Sequence, residues 1–443
     1  MSGAQPSVDL PGEVPRRSVG LPGDDPTRSD RALGFFRSRW VDCPPHVHEL
    51  DPTALPRGFR AAGVAAGLKR QGLDVGVLVS DEPETTSAAR FTSNALVGAP
   101  VAVSSEGALD RLRAVIANSA YANVSDGERG MATAREAQAV AADLLDLPAE
   151  QIGLASTGKI GVELPGEQLV EGIATAVANL GDDARGFSEA ILTTDRGPKR
   201  AALEVALPSG TVHLAAQAKG AGMISPRFAT MLCFVQTDAA LDAETLELLS
   251  GVCVKRSFDR ISVDGQLSTS DTVYVQAGGA SGVRVEGQTE DELRFGEALD
   301  ALLRQLALEI VADGEGATRV GRVVVRGAGE LVEPVARAVA DSPLVKTALL
   351  GADPNFGRIL QATGQALAGR APFLVDLDIE GRRVASAGQE LELSADEWAE
   401  LERAVGGPEV EIELTVPGSG SETELFFADL THEYVSINAD YST

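Results

Sequence analysis

The sequence predicts a mixed α/β protein. Short apolar runs at Ala114 to Ala117, Ile152 to Ala155 and Met231 to Val235 have the length and composition of buried strands. Between the first two, Met131 to Leu147 is alanine-rich and amphipathic, the pattern of a helix. At 443 residues the chain can build a large core and more than one layered unit.

Composition narrows the class. Hydrophobic residues make up 44% of the chain and mean hydropathy is +0.02, as expected of a soluble globular protein. No apolar run approaches the ~18 residues that span a bilayer. The opening MSGAQPSVDLPGEVPRR has neither the charged nor the apolar region of a secretory signal, so a cytoplasmic location is expected. Three cysteines (Cys43, Cys233, Cys253) cannot make a disulfide framework, and the latter two lie in apolar runs that favour buried thiols. With 38 basic against 65 acidic residues, the net charge of −27 opposes binding to nucleic acid or anionic membrane.

Taken in order, Met1 to about Leu55 is rich in Pro, Gly, Asp and Arg without a lasting period, and reads mostly as a mobile extension. Within it GFFRSRW, Gly34 to Trp40, has the makings of a weak docking segment. Cys43, His46, His48 and Glu49 invite a metal site. Their spacing, CPPHVHE, fits no closed tetrahedral pattern, and none is expected. LDVGVLVSD is strand-like, as is the run ending at Ser156. STGKIGVELP, Ser156 to Pro165, then places Thr157 and Gly158 at a strand end. A hydroxyl beside a flexible glycine amide can donate to a developing oxyanion; an ordinary Thr-Gly turn has the same sequence.

The stretch Gln217 to Asp238, QAKGAGMISPRFATMLCFVQTD, runs from small-residue loop into apolar strand, with Thr230 at the junction. If the hydroxyl of Thr230 attacked the Ala229–Thr230 bond and cut it, Thr230 would gain an α-amine. That amine, with a reference pKa near neutrality, is a general base for the same residue's hydroxyl. An Ala-Thr pair alone is equally a strand-start threonine. Helices are expected from about Ala243 and over Asp291 to Ala312. The polar loop SFDRISVDGQLSTSDT, Ser257 to Thr272, reads as side chains satisfying turn amides, with a cation or phosphate site as the alternative. Two strand pairs follow, and alternation of Val435 and Ile437 with Ser436 and Asn438 suggests a terminal strand.

KGAGMISPRFATML, Lys219 to Leu232, resembles the self-processing segment of the ornithine acetyltransferase family, the glutamate N-acetyltransferases of arginine biosynthesis. So do PRGFRAAGVAAGLK from Pro56, FTSNALVGAPVAVS, STGKIGVELP, ILTTDRGPK and the Ser257 to Thr272 loop, where Asp259 and Ser270 replace two asparagines; VKTALLGADPNFGRIL, Val345 to Leu360, resembles the family's helix-loop-helix. The resemblance covers Pro56 to Thr443. It implies layered sheets between helices in an N-terminal-nucleophile-like architecture, and self-cleavage into an α chain (56–229) and a β chain (230–443) beginning with the nucleophile. It further implies an oxyanion hole at Thr157 and Gly158, and substrate binding by Thr194, Lys219, Thr230, Glu315, Asn438 and Thr443. The mature protein would be an α₂β₂ heterotetramer that moves acetyl from N²-acetylornithine to glutamate without metal or nucleotide cofactor.

One departure bears on substrate. Where the family has NSGNANACTGxxG, this chain has NSAYANVSDGERG, Asn118 to Gly130. Ala120 and Tyr121 replace a glycine and an asparagine. They leave open a relative with the same nucleophile but another N-acyl amine or acceptor, or one releasing the acyl group to water as an amidohydrolase.

Overall fold

The computed structural model describes residues 34–225 and 231–440. Pro226 to Thr230, and Tyr441 to Thr443, lie outside the described residues; the expected site residues Thr230 and Thr443, and Ala229 of the expected cleavage point, fall there.

Strand alternation builds the layers. A four-stranded sheet of Phe59–Val64, Val75–Ser80, Ala114–Asn118 and Ile152–Ser156 turns Val77, Val79, Ile116 and Leu154 toward the helices Gly127–Leu145 and Gly166–Ala178. Its other face, with Leu78, Val115 and Ala155, packs on Leu232, Phe234 and Tyr274 of a second sheet. That six-stranded sheet runs Val47–Glu49, Lys199–Leu207, Gly210–Lys219, Leu232–Thr237, Thr272–Ala277 and Thr86–Phe91. Cys233, Val235, Val273 and Val275 alternate to its far face and meet the helices Ala243–Arg256 and Glu290–Ala312. The result is two sheets packed face to face between helix layers, the expected layering. Helix Glu290–Ala312 is apolar on several faces because a seven-stranded C-terminal sheet packs on its other side, through Val320, Phe426 and Ala428. No helix among the described residues is long and apolar enough to cross a membrane.

The expected helices form where their caps stand. Asp242 accepts from the Thr245 amide, Thr289 from Glu292, Ser342 from Val345 and Asn355 from Arg358, opening helices Ala243–Arg256, Glu290–Ala312, Pro343–Leu350 and Phe356–Ala366.

Three expectations are corrected. First, residues 34–55 are not a loose extension: Val47–Glu49 pairs with Leu203–Val205, and Phe36 and Val41 join the core. Arg37 pairs with Glu309 at 2.7 Å, Arg39 with Glu380 at 2.7 Å, and the Trp40 indole donates to Glu411 at 2.9 Å. The polar residues around it obscured these anchors. In that segment His46 bonds the Arg294 carbonyl at 2.9 Å, and the Glu49 carboxylate accepts from the Phe35 and Phe36 amides.

Second, of the two expected strand pairs only one is paired with itself. Asp376–Ile379 and Arg382–Ser386 form that pair, but Glu409–Thr415 and Ser421–Ala428 are separated by Val320–Gly327, which pairs with both. Third, the C-terminal alternation is a helix, His432–Asp440. Thr431 accepts from the Tyr434 amide and donates to the Gly316 carbonyl, which starts a helix against the 313–316 turn. Four alternating residues without a neighbouring strand cannot outweigh that cap; Val435 is 60% exposed.

Candidate active site

The site gathers at one end of the two face-to-face sheets. Strand Ile152–Ser156 runs parallel to Ala114–Asn118, so the loops leaving them travel side by side. The Thr157 amide donates to Asn118 O, Lys159 to Ala120 O, and Ala122 back to Lys159 O, each at 3.0 Å. Gly158 lies at the crossing with φ +132°, where a Cβ would come within 2.2 Å of the Ala120 carbonyl carbon. Only glycine fits there. The Gly158 amide has no hydrogen-bond partner among the described residues.

Lys219 ends the long Gly210–Lys219 strand and is buried. Its ammonium donates to Thr193 Oγ1 at 2.8 Å and to Thr157 Oγ1 at 3.3 Å, and stands 3.8 Å from Asp195. Burial pushes its pKa down, against the opposing pull of Asp195. Asp195 is the hub of this network. It accepts from Lys199 Nζ at 2.8 Å, from the Gly220 amide at 2.7 Å and from the Thr193 amide at 3.0 Å. Burial would raise the carboxyl, but the Lys219 and Lys199 ammonium groups outweigh it and hold Asp195 well below the usual carboxylate range. Lys199 also pairs with Asp313 at 2.5 Å, and Asp313 with Arg196 at 2.8 Å.

Glu315 lies against the turn that follows Lys219. A Cβ on Gly222 would lie 2.7 Å from its carboxylate carbon, so the 220–224 turn is pressed onto it, and Asn438 donates to Glu315 Oε2 at 2.6 Å. Glu315 and Asp271 both act electrostatically on Lys219. Thus Thr157, Gly158, Lys219, Glu315 and Asn438, scattered along the sequence, stand on elements that meet around one loop. Thr194 is half-buried beside them, but the threonine that receives Lys219 is its neighbour Thr193.

Thr193, Asp195, Lys199, Asp264 and Asp271 were not singled out from the sequence. The Asp-x-x-x-Lys spacing inside TTDRGPK was the available signal for the first pair of charges. The reading of the 257–272 loop as amide-satisfying is met, but the amides of Met223, Ile224 and Met231 belong to another segment. Tyr121 packs against the apolar cluster of the four-stranded sheet, and its carbonyl accepts from Asn118 Nδ2 at 3.0 Å. That placement does not favour an altered acyl substrate. Ala120 occupies φ +78°, a left-handed position natural to the glycine it replaces.

A family model described as the ArgJ family matches residues 60–443. The arginine biosynthesis bifunctional protein ArgJ of Nitratidesulfovibrio vulgaris is 42% identical over 395 residues, 88% of this chain and 99% of its own length. Its counterpart from Symbiobacterium thermophilum is 42% identical over 400 residues, 88% and 98% of the two chains. Among solved structures, an ornithine acetyltransferase from Mycobacterium tuberculosis complexed with ornithine is 33% identical over 42% of this chain and 99% of its own, with a TM-score of 0.39. Matched across these motifs and over nearly the whole length of its relatives, the chain belongs to the ArgJ family.

Proposed function

We propose that this chain is a self-processing acyltransferase of arginine biosynthesis that moves acetyl from N²-acetylornithine to glutamate, working in the cytoplasm as an α₂β₂ heterotetramer. In the processing step Thr230 Oγ attacks the Ala229 carbonyl carbon, the C–N bond breaks with a proton passing to the Thr230 nitrogen, and water hydrolyses the resulting ester. Ala229 leaves as a carboxylate, and Thr230 keeps a hydroxyl and a free α-amine. In turnover that amine takes the hydroxyl proton as Oγ attacks the acetyl carbon. The tetrahedral intermediate collapses, ornithine leaves with the proton on its α-nitrogen, and glutamate's amine then takes the acetyl group from the threonine ester.

The observation that carries the reading is the Lys219 ammonium bonded to the Thr157 hydroxyl at 3.3 Å. A hydroxyl that accepts from a cation keeps its own proton to donate and is polarised for doing so. Thr157 Oγ–H and the Gly158 amide would then be paired donors for the tetrahedral oxyanion. Lys219 and Thr194 suit a substrate carboxylate. Glu315, held by Asn438, suits an ammonium of ornithine, and Thr443 is assigned to substrate by the family motif. The test is acetyl transfer from N²-acetylornithine to glutamate by the parent and by Thr230→Ala. The parent should run as two fragments, the second of 214 residues (443 less 229) beginning at Thr230. Efficient cleavage or turnover in Thr230→Ala would overturn the assignment.

A further inference from the structure

The five residues Pro226 to Thr230 are flanked by two clamps, both built from the 263–272 loop. On one side Asp264 accepts from the Met223 amide at 2.7 Å and the Ile224 amide at 2.9 Å, while the amides of Val263 and Gly265 donate to Ile224 O at 2.9 and 3.1 Å. On the other, Asp271 accepts from the Met231 amide at 3.1 Å, and the Thr272 amide donates to Met231 O at 3.1 Å. Each clamp therefore works in both directions. Ile224 and Met231 are themselves fully buried in the core of the six-stranded sheet, so neither anchor can slide.

Asp271 does more than close a turn. It is wholly buried, with the Ser268 and Thr92 side chains beside its carboxylate. Burial pushes the carboxyl up to about 8, against the hydrogen bonds it accepts and the pull of Lys219. The amide it grips is the peptide nitrogen joining Met231 to Thr230.

We propose that Asp264 and Asp271 are positioning residues for self-cleavage, fixing the main chain on the two sides of the scissile segment so that hydroxyl and carbonyl meet. This deepens the self-cleavage reading and rests on it. The two roles differ in time. Once the chain is cut, the amides held by Asp264 belong to the other fragment and no longer connect to Thr230. Asp271 still holds the residue next to the new N-terminus. Asp271 therefore matters for cleavage and for turnover, and Asp264 chiefly for cleavage.

The experiment follows cleavage of the full chain over time on a denaturing gel and by fragment mass, with acetyl transfer normalised to cleaved enzyme. Asp271→Ala and Asp264→Ala should each slow cleavage about tenfold or more, the scale of leaving a buried amide unpaired. Asp271→Asn, which keeps an acceptor and resembles the neutral carboxyl, should cleave within about threefold of the parent, a rescue that sets positioning apart from proton transfer. In the cleaved fraction Asp271→Ala should lower kcat by a larger factor than Asp264→Ala does. Parental cleavage rates in both alanine variants would overturn the proposal, as would Asp271→Asn being as slow as Asp271→Ala. Should an alanine variant fail to fold, Asp264→Asn, which loses one of the two carboxylate acceptors, must still slow cleavage at a parental melting temperature. A parent that remains a single chain, like Thr230→Ala, overturns the self-cleavage reading itself.

Discussion

Replacing Asp195 with asparagine should damage both stability and the pH dependence of acetyl transfer. In the parent, one buried carboxylate serves Lys199 at 2.8 Å, Lys219 at 3.8 Å and the Gly220 amide at 2.7 Å. Asparagine has nearly the same shape but no charge, so Lys199 keeps only Asp313 and Lys219 is left without its nearby anion. Breaking a buried pair from one side costs about 3–5 kcal/mol. At about 2.1 cal/mol/K of unfolding entropy per residue, that is a fall in Tm of roughly 3–5 °C for a chain of this size. The sign of the pH effect follows from the cation. Burial lowers the pKa of Lys219 and Asp195 raises it, so without the carboxylate the ammonium persists only at lower pH. If substrate binding and polarisation of Thr157 need that ammonium, kcat/KM in Asp195→Asn should decline on the alkaline side at a lower pH than in the parent. KM should rise as well. The assays are a thermal melt and a kcat/KM profile between pH 6 and 9. An unshifted profile with Tm within about 1 °C of the parent would refute the view of Asp195 as the charge that sustains Lys219.

Other substitutions probe the rest of the site. Thr157→Ala should fold normally and lose about 10²-fold or more in kcat, with slower self-cleavage, because both reactions pass through an oxyanion; full activity would return Thr157 to a turn role. Ala120→Gly should leave stability unchanged or raise it by up to about 1 kcal/mol, since relief of roughly 1–2 kcal/mol of left-handed strain is partly offset by unfolded-chain entropy; a lower Tm would contradict the φ of +78°. Tyr121→Asn should change kcat/KM for acetylornithine by less than about threefold, because the ring packs against the apolar cluster of the four-stranded sheet. Deleting residues 1–50 should cost roughly 2–4 kcal/mol as Phe36, Val41 and Val47 leave the core, after the ordering entropy of the segment is subtracted. That deletion also removes the Arg37, Arg39 and Trp40 contacts to elements beyond Thr230, so separation of the two fragments in mild denaturant should become easier; parental melting and fragment retention would show the segment to be dispensable.

Much of the fold was legible because burial imposes short periods. Runs such as Val75–Ser80 and Leu232–Thr237 are buried on both faces and stand out as apolar stretches, and helices Ala243–Arg256 and Glu290–Ala312 carry a capping residue directly before them. Where burial is partial the signal faded. The packed segment 34–55 rests on a few apolar anchors among charges, and the terminal helix buries none of its residues, so its pattern mimicked a strand.

The sequence by itself determined the family, through separated motifs in order, and with it the identity of the expected nucleophile, oxyanion donors and substrate ligands. It also determined the layered α/β class, because alternation and helical spacing are local properties. What only the tertiary structure decided is which charges meet. Asp195 reaches Lys199 within its own motif, but its tie to Lys219, that of Lys219 to Thr157, and those of Asp264 and Asp271 to Ile224 and Met231 cross from one strand end to another. No local pattern encodes such contacts. They exist because parallel strands and face-to-face sheets bring distant loops to one edge, where a buried charge persists only if its partner arrives with it.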